Sequence, residues 1–152
     1  MNDFQATPEA FTTMLSQMIP LAGQMGIEAT ELRPGHAAAT IPIEGNGNHL
    51  GTMYAGALFT VAEVLGGALA LSSFDVTKVY PVVKDLKITF RRPAKGAVTA
   101  SASITDEQIT ELAAEAEANG KAQFILSAEV VDEAGELVAT TEGTYQIRSH
   151  GS

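Results

Sequence analysis

Glu63 is the residue in this chain whose type and setting most directly suggest chemistry. It is the only carboxylate between Leu50 and Phe74, an apolar stretch with no Lys, Arg or Asp to pair with it. A lone carboxylate within a buried helix costs several kcal/mol unless a partner satisfies it or its pKa shifts. Such a group is a candidate general base or nucleophile. The plainer alternative is a structural carboxylate bonded to loop N–H groups. The chain has no Cys, which excludes disulfides and Cys-ligated metals. No Ser sits in a Gly-x-Ser-x-Gly elbow. His36, His49 and His150 are scattered without ligand spacing, so no metal site is expected.

The elements around Glu63 must position it. Asn46 to Phe74 reads as a Gly/Asn/His loop running into one long helix, expected over about 53–72. The stretch is long enough to span a bilayer. It is rich in Ala and Gly rather than Leu and Ile, lacks a basic flank and carries a central Glu, all of which argue against insertion. Ala55, Gly56, Ala57, Ala62, Gly66, Gly67 and Ala68 instead suit a central helix that a sheet can approach closely.

Before it, Thr7-Pro8-Glu9 opens a helix over about 8–22, with Phe11, Met14, Leu15, Met18 and Ile19 at helical spacing and Pro20 and Gly23 ending it. Gly26 to Arg33 and His36 to Ile43 read as strands around the Pro34-Gly35 turn, Pro42 marking an edge strand or a strand end. After Asp75 the period becomes two: Leu86, Ile88 and Phe90 alternate with polar neighbours, and so do Val98, Ala100, Ala102 and Ile104. Thr105 and Gln108 form a capping-box pattern for a helix over about 106–118, closed by Asn119-Gly120. Gln123 to Val131 and Leu137 to Ile147 are the last strands, and Ser149 to Ser152 read as a frayed tail. The expectation is one α+β domain over 1–152, an antiparallel sheet wrapped around the central helix.

Composition narrows the partners. The chain has 152 residues, 45% of them apolar and 18% charged, within the range of a globular protein. A net charge of −9 argues against nucleic acid. Six of the nine basic residues nevertheless fall between Lys78 and Lys95 (Lys78, Lys84, Lys87, Arg91, Arg92, Lys95). That cluster is either a solvated strand face or a patch for a phosphate-bearing ligand. The N-terminus has neither a basic n-region nor an apolar h-region, so a cytoplasmic protein without a membrane partner is expected.

Two motifs carry a family resemblance. Asn48-x-x-Gly51-Thr52-x-x-x-Gly56, followed by Leu58-Phe59-Thr60-x-Ala62-Glu63, is one; Leu86-x-Ile88-x-Phe90-x-Arg92-Pro93-Ala94-x-Gly96 is the other. In this order they resemble the hotdog-fold acyl-CoA thioesterases, of the phenylacetate-pathway type and of the thioesterase-like domain that can follow an acetyltransferase. The resemblance runs from about residue 10 to 147. It implies that Glu63 is the nucleophile or general base, that the N–H of Gly56 polarises the thioester carbonyl, and that Asn48 is the loop Asn of the site. His49, Tyr54 and Ala55 would then rim the substrate, and Arg91, Arg92 and Lys95 would meet the CoA phosphates. No cofactor is implied beyond the CoA of the substrate, the small-molecule partner being an acyl-CoA (or acyl-carrier) thioester.

The chain departs from the family at two places: the His-Gly-Gly before the helix reads Tyr54-Ala55-Gly56, and the polar residue one or two turns after the acid is replaced by Gly67 and Ala70. Those departures leave open a non-catalytic acyl-binding module, and a pairing of His49 with Glu63 leaves open a hotdog dehydratase or hydratase.

Helix rise adds a constraint. Gly56 and Glu63 are seven residues apart, roughly 10 Å along one helix. One carbonyl cannot lie about 3 Å from both. A two-fold dimer with antiparallel central helices would bring Glu63 of one protomer towards Gly56 of the other. The expected assembly is therefore a homodimer or a dimer of dimers.

Overall fold

Thr7 accepts a hydrogen bond from Ala10 N–H, and Pro8 fills the first helical position, so the chain enters helix α1 (Pro8–Met18) where the sequence signals it. These elements belong to a computed structural model that describes residues 6–151. The expected single helix over 8–22 is broken. Ile19 leaves helical dihedrals (φ −129°, ψ 80°), and Pro20 opens a second short helix, α2 (Pro20–Gln24). Proline cannot continue a helix but can begin one, which accounts for the break.

Strands β1 (Glu28–Arg33) and β2 (His36–Ile41) form a hairpin around Gly35. Gly35 has φ +82°, and a Cβ there would come within 2.6 Å of the Ile104 carbonyl oxygen. Only glycine fits both constraints. After helix α3 (Ala55–Ser73) come β3 (Val79–Phe90), β4 (Val98–Ser103), α4 (Asp106–Asn119), β5 (Lys121–Asp132) and β6 (Leu137–Ser149). The sheet has the order β1-β2-β4-β5-β6-β3, with every pair antiparallel. Since β2 lies between β1 and β4, Pro42 marks a strand end and not an edge.

The sheet covers α3, which packs against all six strands. Val61, Leu65 and Leu69 are fully buried along it, each contributing ~1.5–3 kcal/mol relative to exposure. The small residues serve close approach: the Tyr145 ring occupies the space a Cβ on Gly66 would need. On β5, Ala122, Phe124, Leu126, Ala128 and Val130 point inward while their neighbours face solvent, so one face of the sheet is covered and the other open. This is the expected hotdog arrangement.

Two strand expectations are corrected. β3 begins at Val79, well before the alternation that starts near Asp85. Its first half, Val79-Tyr80-Pro81-Val82-Val83, shows no period of two, and Pro81 is tolerated because β3 is a sheet edge. The end of the chain is not frayed through residue 150. β6 runs to Ser149, whose hydroxyl donates to Ala116 O, and His150 N donates to Lys78 O.

Candidate active site

The loop between β2 and α3 is tied at several points, and those ties set where α3 begins. Asn46 is buried, and its amide donates to the carbonyls of Met25 (2.7 Å) and Pro42 (2.8 Å). Asn48 Oδ1 accepts from the backbone N–H of Leu50 (2.9 Å) and Thr52 (3.1 Å), while its Nδ2 donates to Thr52 Oγ1 (2.9 Å). Met53 N donates to Ala94 O and Tyr54 N to Asn46 O, which fastens the helix start to the Arg-Arg-Pro-Ala turn. Between them is a cleft of about 370 Å³ lined by Asn48, Ala55, Leu58, Phe90, Arg91 and Arg92 among others. No side chain caps α3, so its first N–H groups have no intrahelical partner and carry partial positive charge. The Tyr54 ring lies where a Cβ on Gly56 would stand.

Glu63 opens on a second cleft of about 490 Å³, formed by α1, α3, the start of β3 and the end of β6. Met14, Met18, Gly67, Val83 and Tyr145 line it with the carboxylate. Among the described residues no cation lies within ion-pair reach of Glu63. Desolvation by burial raises its pKa above the ordinary 4.5, and nothing offsets it. Tyr145 Oη donates to the backbone carbonyl of Glu63 at 3.2 Å. Burial, and then the nearby Glu63 charge, push the phenol well above its ordinary value, so it remains a hydrogen-bond donor.

Of the residues singled out from sequence, Asn48, Ala55, Arg91 and Arg92 meet in one cleft and Glu63 lines the other. His49, Tyr54 and Lys95 are exposed and line neither. Gly56 lies at the helix start beneath Tyr54. The two basic residues differ: Arg92 is paired with Glu136 at 3.1 Å, whereas Arg91 makes only a 3.4 Å contact to Thr140 Oγ1. Among the described residues no three His, Asp or Glu side chains are grouped to hold a metal.

Three residues at the site were missed in sequence. Tyr145 reads only as part of the last strand, and its approach to Glu63 depends on how β6 packs against α3. His150, read as tail, lines the Glu63 cleft, with Nε2 3.0 Å from Val76 O and its ring beside Tyr80. Asn46 looks equivalent to Asn48 in the Asn-Gly-Asn run, and only burial separates them.

Similarity to known proteins agrees with this architecture. Residues 7–147 match the family described as a domain of unknown function, DUF4442. A Pseudomonas aeruginosa protein of unknown function described as a probable thioesterase is 44% identical, with a TM-score of 0.87 over 95% of this chain and 97% of that one. A Haemophilus influenzae thioesterase shares the fold at 17% identity, with a TM-score of 0.77 over 99% of this chain and 95% of that one. A candidate esterase from Deinococcus radiodurans is 26% identical over 97% of this chain and 90% of its own length. The chain belongs to the DUF4442 family, within the hotdog-fold thioesterase superfamily.

Proposed function

We propose that this protein hydrolyses acyl-CoA thioesters, with Glu63 as general base or nucleophile and the N-terminus of α3 as oxyanion donor. The observation that carries the reading is a carboxylate without a counter-ion, raised in pKa, opening on an apolar cleft. A carboxylate whose basicity is raised by burial suits the attack of water on a thioester carbonyl. Uncapped N–H groups at Ala55 and Gly56 suit the developing oxyanion. Arg91 and Arg92, beside that helix start, suit the nucleotide phosphates. The 44% identical relative is itself described as a probable thioesterase.

Within one protomer the carboxylate and the donors open on different clefts, so the active unit is a dimer. β3 supports this. It is a 12-residue free sheet edge with Tyr80, Val83 and Phe90 exposed, the kind of edge that pairs with another chain. Its first half borders the Glu63 cleft and its last residue the Arg91 cleft. Antiparallel pairing of two β3 strands about a two-fold axis joins each cleft to the partner's other cleft. Asp85, between Lys84 and Lys87, offers charge complementarity across such a pair.

The test is Glu63→Gln assayed by thiol release from acyl-CoAs. The expected outcome is a fall in kcat of two or more orders of magnitude, on the scale of general base catalysis, with the folded dimer retained. Activity within a few-fold of wild type would eliminate Glu63 as the catalytic group. A second reading, an acyl-binding module without turnover, is favoured by Asn48, whose amide is already engaged within its own loop. Tight acyl-CoA binding with no thiol release by wild type selects it.

A further inference from the structure

The cleft beside Glu63 continues past the carboxylate. Glu63, Gly67 and Leu71 follow at four-residue spacing and line it, so one face of α3 forms its floor. The eight-residue step from Glu63 to Leu71 is ~12 Å of helix rise. Met14 and Met18 of α1 and Val83 of β3 line the same cleft. Gly67 lies midway along the floor, and a Cβ built on it would meet no atom within 4 Å. At Gly66, one residue earlier, a Cβ would instead collide with the Tyr145 ring. The room above Gly67 is therefore part of the cavity and not slack in the core.

We propose that this channel takes the tail of an uncharged, medium-length hydrocarbon acyl group, and that Gly67 sets which tails pass. The proposal rests on the thioesterase reading above, with the thioester carbonyl at Glu63. Length supports it: a zigzag alkyl chain advances ~1.25 Å per carbon, so ~12 Å holds roughly ten carbons. Polarity supports it as well. No Lys or Arg lines the channel among the described residues, so a tail ending in a carboxylate would be desolvated there without a counter-ion. His150 lies at the lining with Nε2 against Val76 O. The two methionines adapt to varied shapes, whereas the backbone at Gly67 cannot retreat, so selection falls on that floor position.

The experiment is a series of straight-chain acyl-CoAs from butanoyl to hexadecanoyl, with ω-carboxyl counterparts, assayed by thiol release on the full chain. Wild type should prefer medium chains and reject the ω-carboxyl series. Gly67→Val and Gly67→Phe should each lower the kcat/KM ratio of decanoyl to butanoyl substrate by about tenfold or more. Leu71→Ala should move the optimum towards longer chains.

Hydrolysis with an unchanged length profile in folded Gly67→Val and Leu71→Ala overturns the channel and leaves the thioesterase reading standing. Absence of hydrolysis of any thioester by wild type overturns that reading instead. Calorimetric titration with decanamide, an uncharged probe, then decides the channel: binding to wild type but not to Gly67→Phe supports it, and equal or absent binding overturns it. Should Gly67→Phe fail to fold by circular dichroism, Gly67→Val carries both comparisons.

Discussion

Burial without a counter-ion gives Glu63 a thermodynamic signature as well as a chemical one. Its folded pKa lies above the ordinary 4.5, so the folded state holds this proton more tightly than the unfolded chain does. The stability this contributes is fully present below the ordinary pKa and is lost as pH rises through the raised folded value. Above that raised value wild type carries a desolvated charge that Glu63→Gln lacks. Differential scanning calorimetry should find Glu63→Gln more stable than wild type at neutral pH, with the gap closing as pH falls below 4.5. A pH-independent difference would mean that desolvation of Glu63 is not its cause. At the other cleft, Arg91 and Arg92 should separate. Arg92 already has a carboxylate partner at 3.1 Å and Arg91 has none among the described residues, so Arg91→Glu should raise KM for acyl-CoA more than Arg92→Glu does. Neither should change KM for a small thioester lacking the nucleotide. Equal effects on both substrates would return these side chains to the role of surface charges.

At the scale of elements, α3 is the most constrained part of the chain and α4 one of the more self-sufficient. Leu65 is fully buried where α3 meets the sheet, and Leu65→Ala should cost about 2–5 kcal/mol in urea unfolding. α4 has both halves of its capping box, Gln108 N–H to Thr105 Oγ1 at 3.1 Å and Thr105 N–H to Gln108 Oε1 at 2.9 Å. Thr105→Ala should cost about 1 kcal/mol, since the cap is exposed and α4 buries mainly Leu112 and Ala116. A larger loss at Thr105 than at Leu65 would contradict the hierarchy of contacts described. α1 matters for another reason: it walls the Glu63 cleft, so the break at Ile19–Pro20 shapes the site's rim.

For the whole molecule, the proposed sharing of the site between two protomers has a consequence that needs no structure of a dimer. Provided that Glu63→Ala and Asn48→Ala are each severely impaired alone, the two variants can be refolded together so that heterodimers form. With the two residues acting in trans, each heterodimer has one doubly damaged site and one intact site. Random pairing makes half the dimers mixed, so activity should return to roughly a quarter of wild type. No recovery, with heterodimers demonstrated by native mass spectrometry, would place both residues of a site in one protomer. What the sequence by itself determined was the class of fold and the lone carboxylate on which the proposed chemistry rests. A single carboxylate in an apolar stretch, the Thr7-Pro8 and Thr105–Gln108 caps, and period-two runs at 86–90 and 98–104 are local signals, and local signals survive without tertiary context. Tertiary structure decided what depends on chain segments distant in sequence meeting. Val79–Val83 has no alternation because it is an edge strand bordering a cleft, so only pairing with β6 identified it. Tyr145 reaches Glu63, and His150 the same cleft, only because β6 crosses beneath α3 and ends beside β3. The separation of Glu63 from the helix N-terminus into two clefts was likewise set by packing, because burial and free volume belong to the folded surface and not to the order of residues.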